Sequence, residues 1–253
     1  MKKIAFATAA VTLLLTGAAS AADLAARPYA KAPLMPVAVY NWTGFYIGVN
    51  GGGGWADKDW DIFNDGIGPI VPALREGSHT ASGATVGGQI GYRWQASNWV
   101  FGLEAQGNWA DFSGSNTSQF FLPLAVTNRT TVDALGLFTG QIGYAWNNVL
   151  WYVKGGAAVT RDKYEGSALG IVVDRATETR WGGVVGTGLE FGFAPNWSLA
   201  VEYDHLFMGD RDITFRDAFG GGVITRQDTI SQNVDMVTAR INYRFGGPIV
   251  AKY

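Results

Sequence analysis

Hydrophobicity that alternates with a period of two over eight segments, connections that alternate short and long, and aromatic residues gathered at segment ends predict an all-β chain. Together they specify an eight-stranded antiparallel up-and-down transmembrane β-barrel. Beyond Tyr40 no stretch holds the ~20 consecutive apolar residues of a membrane helix, so strands must do any spanning.

The first strand runs from Phe45 to Trp55. The second places Ala84, Val86, Gly88, Ile90, Tyr92 and Trp94 on one face and Thr85, Gly87, Gln89, Gly91 and Arg93 on the other. The third sets Trp99, Phe101, Leu103 and Ala105 against Gly102, Glu104, Gln106 and Asn108. The fourth, about Val132 to Trp146, is the least regular, because Leu135 and Leu137 fall on its polar face. In the fifth, Trp151, Val153 and Val159 oppose Tyr152, Lys154 and Gly156; in the sixth, Val185, Leu189 and Phe191 oppose Gly186, Gly188 and Glu190. The seventh sets Leu199, Val201 and Tyr203 against Ala200, Glu202 and Asp204, and the last sets Val237, Ala239, Ile241, Tyr243 and Phe245 against Thr238, Arg240, Asn242 and Arg244.

The second face decides which side is inside. It is glycine-rich with single charges, unlike the charged, Thr- and Ser-rich outer face of a soluble sandwich. A ring of eight strands leaves room for few large inward side chains, so small residues interspersed with charge suit a narrow lumen. That absorbs much of an unusual composition: 35 glycines in 253 residues, roughly twice the usual ~7%. The apolar face would meet lipid, with Tyr92, Trp94, Trp99, Tyr144, Trp146, Trp151 and Trp197 forming a girdle at the membrane boundary. A secreted lipocalin-like binding barrel is the alternative; it would turn the apolar face inward around a ligand.

Lys2 and Lys3, an apolar run from Ile4 to about Leu15, and small residues up to Ala21 predict a signal peptide over residues 1–21. The run is too short for a permanent membrane anchor. Residues 22–40, with Pro28, Pro33 and Pro36 among alanines, read as a flexible periplasmic leader, and 41–253 as the barrel with a short tail. Removing Lys2 and Lys3 from the 19 basic residues leaves 17 against 21 acidic ones, a formal charge of −4. Nothing there favours nucleic acid. The lack of cysteine excludes a disulfide scaffold, a Cys-ligated metal and thiol chemistry. Short connections at Gln95 to Asn98, Asn147-Asn148 and Ala194 to Asn196 alternate with long ones at about 56–80, 112–130, 161–178 and 208–233. Bacterial outer-membrane barrels keep short turns in the periplasm and long loops outside, so both termini are expected to be periplasmic. A repeat of about 50 residues, marked by Gly91-Tyr92 and Gly143-Tyr144, holds two strands per period, too few for a propeller blade.

Inside the barrel, a two-residue turn at Asn147-Asn148 pairs Trp146 with Val149 and so places Lys154 opposite Gln141. A turn centred on Asn196 would place Glu190 opposite Glu202, two carboxylates that need a cation between them. Arg93, Glu104, Lys154, Glu190, Glu202 and Arg240 are therefore expected to form a salt-bridge network that plugs the lumen. A small-solute porin or a narrow pore gated by that network is the alternative. Catalytic constellations fail. Paired inward glutamates lack room for a sugar chain. His79 beside Ser78, and His205 with no serine within two residues, make no convincing nucleophile pair. Gly51 to Gly54 and Gly220 to Gly222 lack the Lys-Ser/Thr and helix of a phosphate loop. No metal or cofactor site is expected; Asp57, Asp59, Asp61 and Asp65 read as a solvated loop rather than a cation site.

Trp42-Thr43-Gly44-Phe45-Tyr46-Ile47-Gly48, Pro195-Asn196-Trp197-Ser198-Leu199 with Glu202-Tyr203, and Asn242-Tyr243-Arg244-Phe245 carry a resemblance from about Asn41 to Phe245. The chain resembles the small alphaproteobacterial outer-membrane β-barrel proteins of the RopB type, within the opacity-protein/surface-antigen superfamily. The resemblance implies a structural surface protein that supports envelope integrity, without enzyme activity. It also implies recognition by the barrel-assembly machinery through terminal aromatics, here Tyr243, Phe245 or Tyr253, the last in a tail that extends past the usual end. The remaining expected partners are outer-membrane lipid and lipopolysaccharide, with host, phage or peptidoglycan contacts as further candidates.

Overall fold

The structure, a computed structural model, describes residues 40–120 and 126–246. The signal peptide, the leader up to residue 39 and Tyr253 lie outside the described residues. Eight strands follow one another: β1 (Gly44–Asn64), β2 (Pro69–Ala96), β3 (Trp99–Thr117), β4 (Thr127–Trp146), β5 (Val149–Ala168), β6 (Ile171–Ala194), β7 (Trp197–Asp217) and β8 (Ile224–Arg244). Each pairs antiparallel with its neighbour, and β1 pairs with β8, Val49 opposite Ile241, to close the ring. This is the up-and-down barrel that the alternation predicts.

The turns at one end are tight and polar. Ser97-Asn98 and Asn147-Asn148 put Ser97 and Asn147 at φ 56°, a left-handed conformation that a small polar side chain tolerates best. Trp146 pairs with Val149 and Gln141 with Lys154, in the expected register. The β6–β7 hairpin differs from expectation: Glu190 lies opposite Ala200 and Glu202 opposite Gly188. The turn holds two residues, Pro195 and Asn196, which moves the register by one from a turn centred on Asn196, and an irregularity between Gly192 and Ala194 moves it by one more, so the carboxylates are staggered along the barrel instead of abutting.

The four long loops are also corrected. The strands run 19 to 28 residues, about twice the ~9–11 that cross a bilayer, and most of 56–80, 112–130, 161–178 and 208–233 is strand. The outward aromatics show where the bilayer ends. Phe45 and Trp55, Trp99 and Trp109, Trp181 and Phe191, and Trp197 and Phe207 are each ten positions apart and exposed. At ~3.3 Å per residue and a tilt of ~40°, that separation is about 25 Å, the height of a barrel's apolar band. Beyond it the alternation inverts. On β1 the outward residues change from Ile47 and Val49 to Asp57, Asp59 and Asp61, while the inward ones change from Asn50 to Ala56, Trp60 and Ile62. Outside the wall is now water, so the same pleat buries what it previously exposed.

The lumen is filled by stacked layers. At the tight-turn end Trp42, Val100, Ala145, Leu150 and Tyr152 pack with Tyr40. A charged layer follows. Above it lies an apolar layer that includes Phe112, Leu135, Leu137, Leu206 and Met236, which explains the two leucines on the polar face of β4. Near the far end, Trp60, Tyr164, Ile213, Phe215 and Ile230 form a third apolar cluster.

Candidate functional site

Inward glycines make room for the charged layer. A Cβ on Gly91 would fall 2.5 Å from the hydroxyl oxygen of Tyr46, and one on Gly188 would fall 2.5 Å from that of Tyr152. Each tyrosine lies across its glycine and donates to a buried carboxylate, Tyr46 to Glu104 and Tyr152 to Glu202, both at 2.6 Å. Arg240 lies between the two glutamates, donating to Glu104 at 2.6 Å and, by its other terminal nitrogen, to Glu202. The Lys154 ammonium stands 2.6 Å from Glu202, 3.1 Å from Asp204 and 3.8 Å from Glu104. Glu104, Lys154, Glu202 and Arg240 thus form one cluster whose charged side chains are wholly buried.

Arg93 and Glu190 make a separate pair at 2.8 Å, nearer the tight turns. Arg93 lies over the rings of Tyr46 and Tyr152, at 4.6 and 5.3 Å from their centroids. Ser198 donates to Glu190 at 2.5 Å and Asn242 at 3.1 Å. An amide chain then joins this pair to the cluster: Gln89 donates to Asn242, Asn50 to Gln89, Asn108 to Asn50, Gln106 to Asn108, and Lys154 to Gln106. A cavity of about 10 Å³ between Tyr40, Trp42, Arg93 and Glu190 has room for about one water.

The six residues named from sequence therefore share the lumen, but sequence reasoning missed much of its chemistry. Asp204, two residues beyond Glu202 on the same face, was the findable member. Two further layers were hidden in the supposed loops. Lys58 bonds Asp162 at 2.8 Å and also Gln232, which accepts from Arg180 at 2.8 Å. Arg226 faces three buried carboxylates, Glu76 at 2.7 Å, Asp174 at 3.1 Å and Asp228 at 3.3 Å. Asp228 lies seven positions beyond Asp235, outside the band. Burial pushes its carboxyl up to about 8; Arg226 opposes the shift, and the Glu76 and Asp174 charges add to it.

Outside the wall, Tyr92, Trp94, Trp99, Tyr144, Trp146, Trp151 and Trp197 all project outward at the tight-turn end, 40 to 51% exposed. Tyr243 and Phe245 are neighbours there, ring centroids 5.0 Å apart, with Phe245 also against Phe45. At the opposite edge of the band, Asp235 accepts from Tyr203 at 2.5 Å and pairs with His205 at 2.7 Å. His79 is tied to Asn116 at 2.8 Å and to Thr130 at 3.1 Å. Among the described residues no group of three His, Cys, Asp or Glu side chains could hold a metal ion. The acidic residues of β1 are engaged separately: Asp57 accepts from Thr80 and Asp59 from Arg75, each at 2.7 Å. Asp65 caps its own tip, where the backbone N–H groups of Ile67 and Gly68 hold its carboxyl below the usual range.

This geometry agrees with what the chain is similar to. The family model for the outer membrane protein beta-barrel domain matches residues 7–245. A 31 kDa outer-membrane immunogenic protein of Brucella melitensis is 28% identical, over 94% of this chain and 98% of that protein, and its Brucella suis counterpart matches equally. The outer membrane protein OprG of Pseudomonas aeruginosa has the same fold, with a TM-score of 0.50 at 14% identity over 81% of this chain and 98% of that one. An apolar belt that faces outward removes the lipocalin-like alternative. The chain belongs to the outer membrane protein β-barrel domain family.

Proposed function

We propose that this outer-membrane barrel is a closed structural element of the envelope and not a conduit. The observation that carries the reading is Arg240 clamped between Glu104 and Glu202, with Lys154 alongside, across a lumen already packed above and below. Opening a path would separate buried charges, which costs several kcal/mol per ion. In this reading the tight turns and both termini are periplasmic, residues 1–21 are a signal peptide, and residues 22–40 are a leader in reach of peptidoglycan. Tyr243 and Phe245 serve as the signal to the barrel-assembly machinery. The polar hairpin extensions form the external surface, a natural antigen like the immunogenic Brucella relatives. Arg161 and Lys163, outward on β5 just past the band and sharing one carboxylate, Asp133, leave a net positive charge that suits lipopolysaccharide phosphates. No step of the reading requires catalysis.

Planar-bilayer recording of the reconstituted protein tests it. A silent bilayer is expected, and a steady nanosiemens-scale conductance would establish the porin alternative instead.

A further inference from the structure

Two of the described external tips are apolar where turn chemistry asks for polar residues, unlike the β1–β2 tip that Asp65 caps. Between β5 and β6 the turn is Leu169-Gly170, with Leu169 at φ 51° and 82% exposed. The tight turns at the other end put Ser97 and Asn147 at the same left-handed position. A branched apolar side chain is costly there and gains nothing from burial. Beside it, Ile171 is exposed, as are Phe219 and Val223 on the β7–β8 tip. No charged residue occurs from 166 to 173 or from 218 to 225.

Below these tips runs a row of arginines that also works against folding. Arg129 on β4 lies opposite Glu165 on β5, Glu165 opposite Arg175 on β6, and Arg175 opposite Arg216 on β7. The three arginines are exposed. Like charges directly opposite on neighbouring strands destabilise a sheet, and the row has one carboxylate, Glu165, which pairs with Arg175 at 3.4 Å. Arg216 is held by the Gly222 carbonyl at 2.7 Å, at the root of the Phe219 tip.

We infer that the Leu169–Ile171 and Phe219–Val223 tips, over the Arg129, Arg175 and Arg216 row, form a docking surface for a second membrane rich in anionic phospholipid. Apolar side chains on the tips enter the acyl boundary, and the three arginines one step behind meet the phosphates, outnumbering the Asp217 carboxylate that caps the Phe219 tip through the Gly221 and Val223 N–H groups. The tips stand about ten residues past the aromatic boundary, ~25 Å along the barrel axis, too far to touch the protein's own bilayer. A shape-matched protein partner fits less well, because Phe219 precedes the Gly220-Gly221-Gly222 run, with φ 92° and 70° at its ends. A fluid bilayer requires no fixed contour.

The inference rests on the reading that these tips face outward. Protein in phosphatidylcholine nanodiscs is mixed with vesicles of phosphatidylcholine, pure or with a third replaced by phosphatidylglycerol, and co-flotation is measured. Capture is expected on the anionic vesicles alone and weakens with salt. Leu169→Asn with Phe219→Ser abolishes it; since Asn suits the turn, heat-modifiable migration stays normal. Arg129→Ser, Arg175→Ser and Arg216→Ser together weaken capture roughly 100-fold, about fivefold for each arginine. Absence of wild-type capture, equal capture on uncharged vesicles, or undiminished capture of the Leu169/Phe219 variant each overturns the inference. Failure of the outward-facing reading shows separately, as tips that resist protease on intact cells.

Discussion

Tyr152 lies across Gly188 on the adjacent strand, and its hydroxyl reaches Glu202 at 2.6 Å. The glycine is what lets an aromatic ring lie flat in a lumen this narrow. Gly188→Val should displace the ring, detach its hydroxyl from Glu202, and cost about 1–3 kcal/mol as an overpacked site. The measurement is the temperature at which the folded, fast-migrating band is lost on unboiled gels. Gly91→Val, under Tyr46, should act the same way, whereas Gly107→Val, where an added Cβ meets nothing within 4 Å, should leave the temperature unchanged.

Arg240 holds two buried glutamates at once. Arg240→Met leaves those carboxylates facing each other with Lys154 alone to neutralise them, and should destabilise by about 3–5 kcal/mol. Equilibrium urea unfolding in detergent reads the loss. Adding Glu104→Gln to Arg240→Met should recover part of it, because one uncompensated charge is then gone. An unchanged urea midpoint for Arg240→Met would show that the lumen is wetter than its burial indicates.

The two faces of one strand trade roles at the bilayer boundary. Val201, outward on β7 midway between Trp197 and Phe207, is 57% exposed, and Val201→Arg should cost about 2–4 kcal/mol as a charge at the midplane. Asp59→Leu, outward on β1 past Trp55, should change stability by less than about 0.5 kcal/mol, as for a surface site. Urea midpoints of the two variants give the comparison.

That inversion also explains what the sequence could and could not show. Strands with Tyr92, Trp94, Trp99 or Trp197 at one end were legible because lipid imposes an apolar outer face and the lumen a small, polar inner one. Past Trp55 and Phe207 the rule reverses, so Asp57, Asp59 and Asp61 read as a solvated loop although Ala56, Trp60 and Ile62, which alternate with them, are fully buried. Arg240 and Lys154 were found by alternation within the band. Lys58 and Arg226 obey the same period and are lost with the segments that hold them, and Arg180 lies between the supposed 161–178 loop and the strand recognised from Val185. The Glu190 and Glu202 stagger depends on one irregularity at Gly192, which no pattern of polarity encodes.

The end opposite the tight turns should respond to pH. Asp228 faces Arg226 on its own strand, Glu76 from β2 and Asp174 from β6, three carboxylates around one guanidinium. Its carboxyl is raised to about 8, chiefly by burial. The folded state therefore holds this proton more tightly than the unfolded chain, whose ordinary value is about 3.9. The stabilisation is complete below that ordinary value and is lost as pH rises through 8. Proteolysis near the β7–β8 tip should accelerate between neutral pH and pH ~9, while the folded band of the membrane-embedded half stays intact. Asp228→Asn keeps position 228 neutral at every pH and should flatten the profile. A wild-type cleavage rate that is flat across that range, or a profile that Asp228→Asn leaves unchanged, would mean that another group at this end takes up the proton.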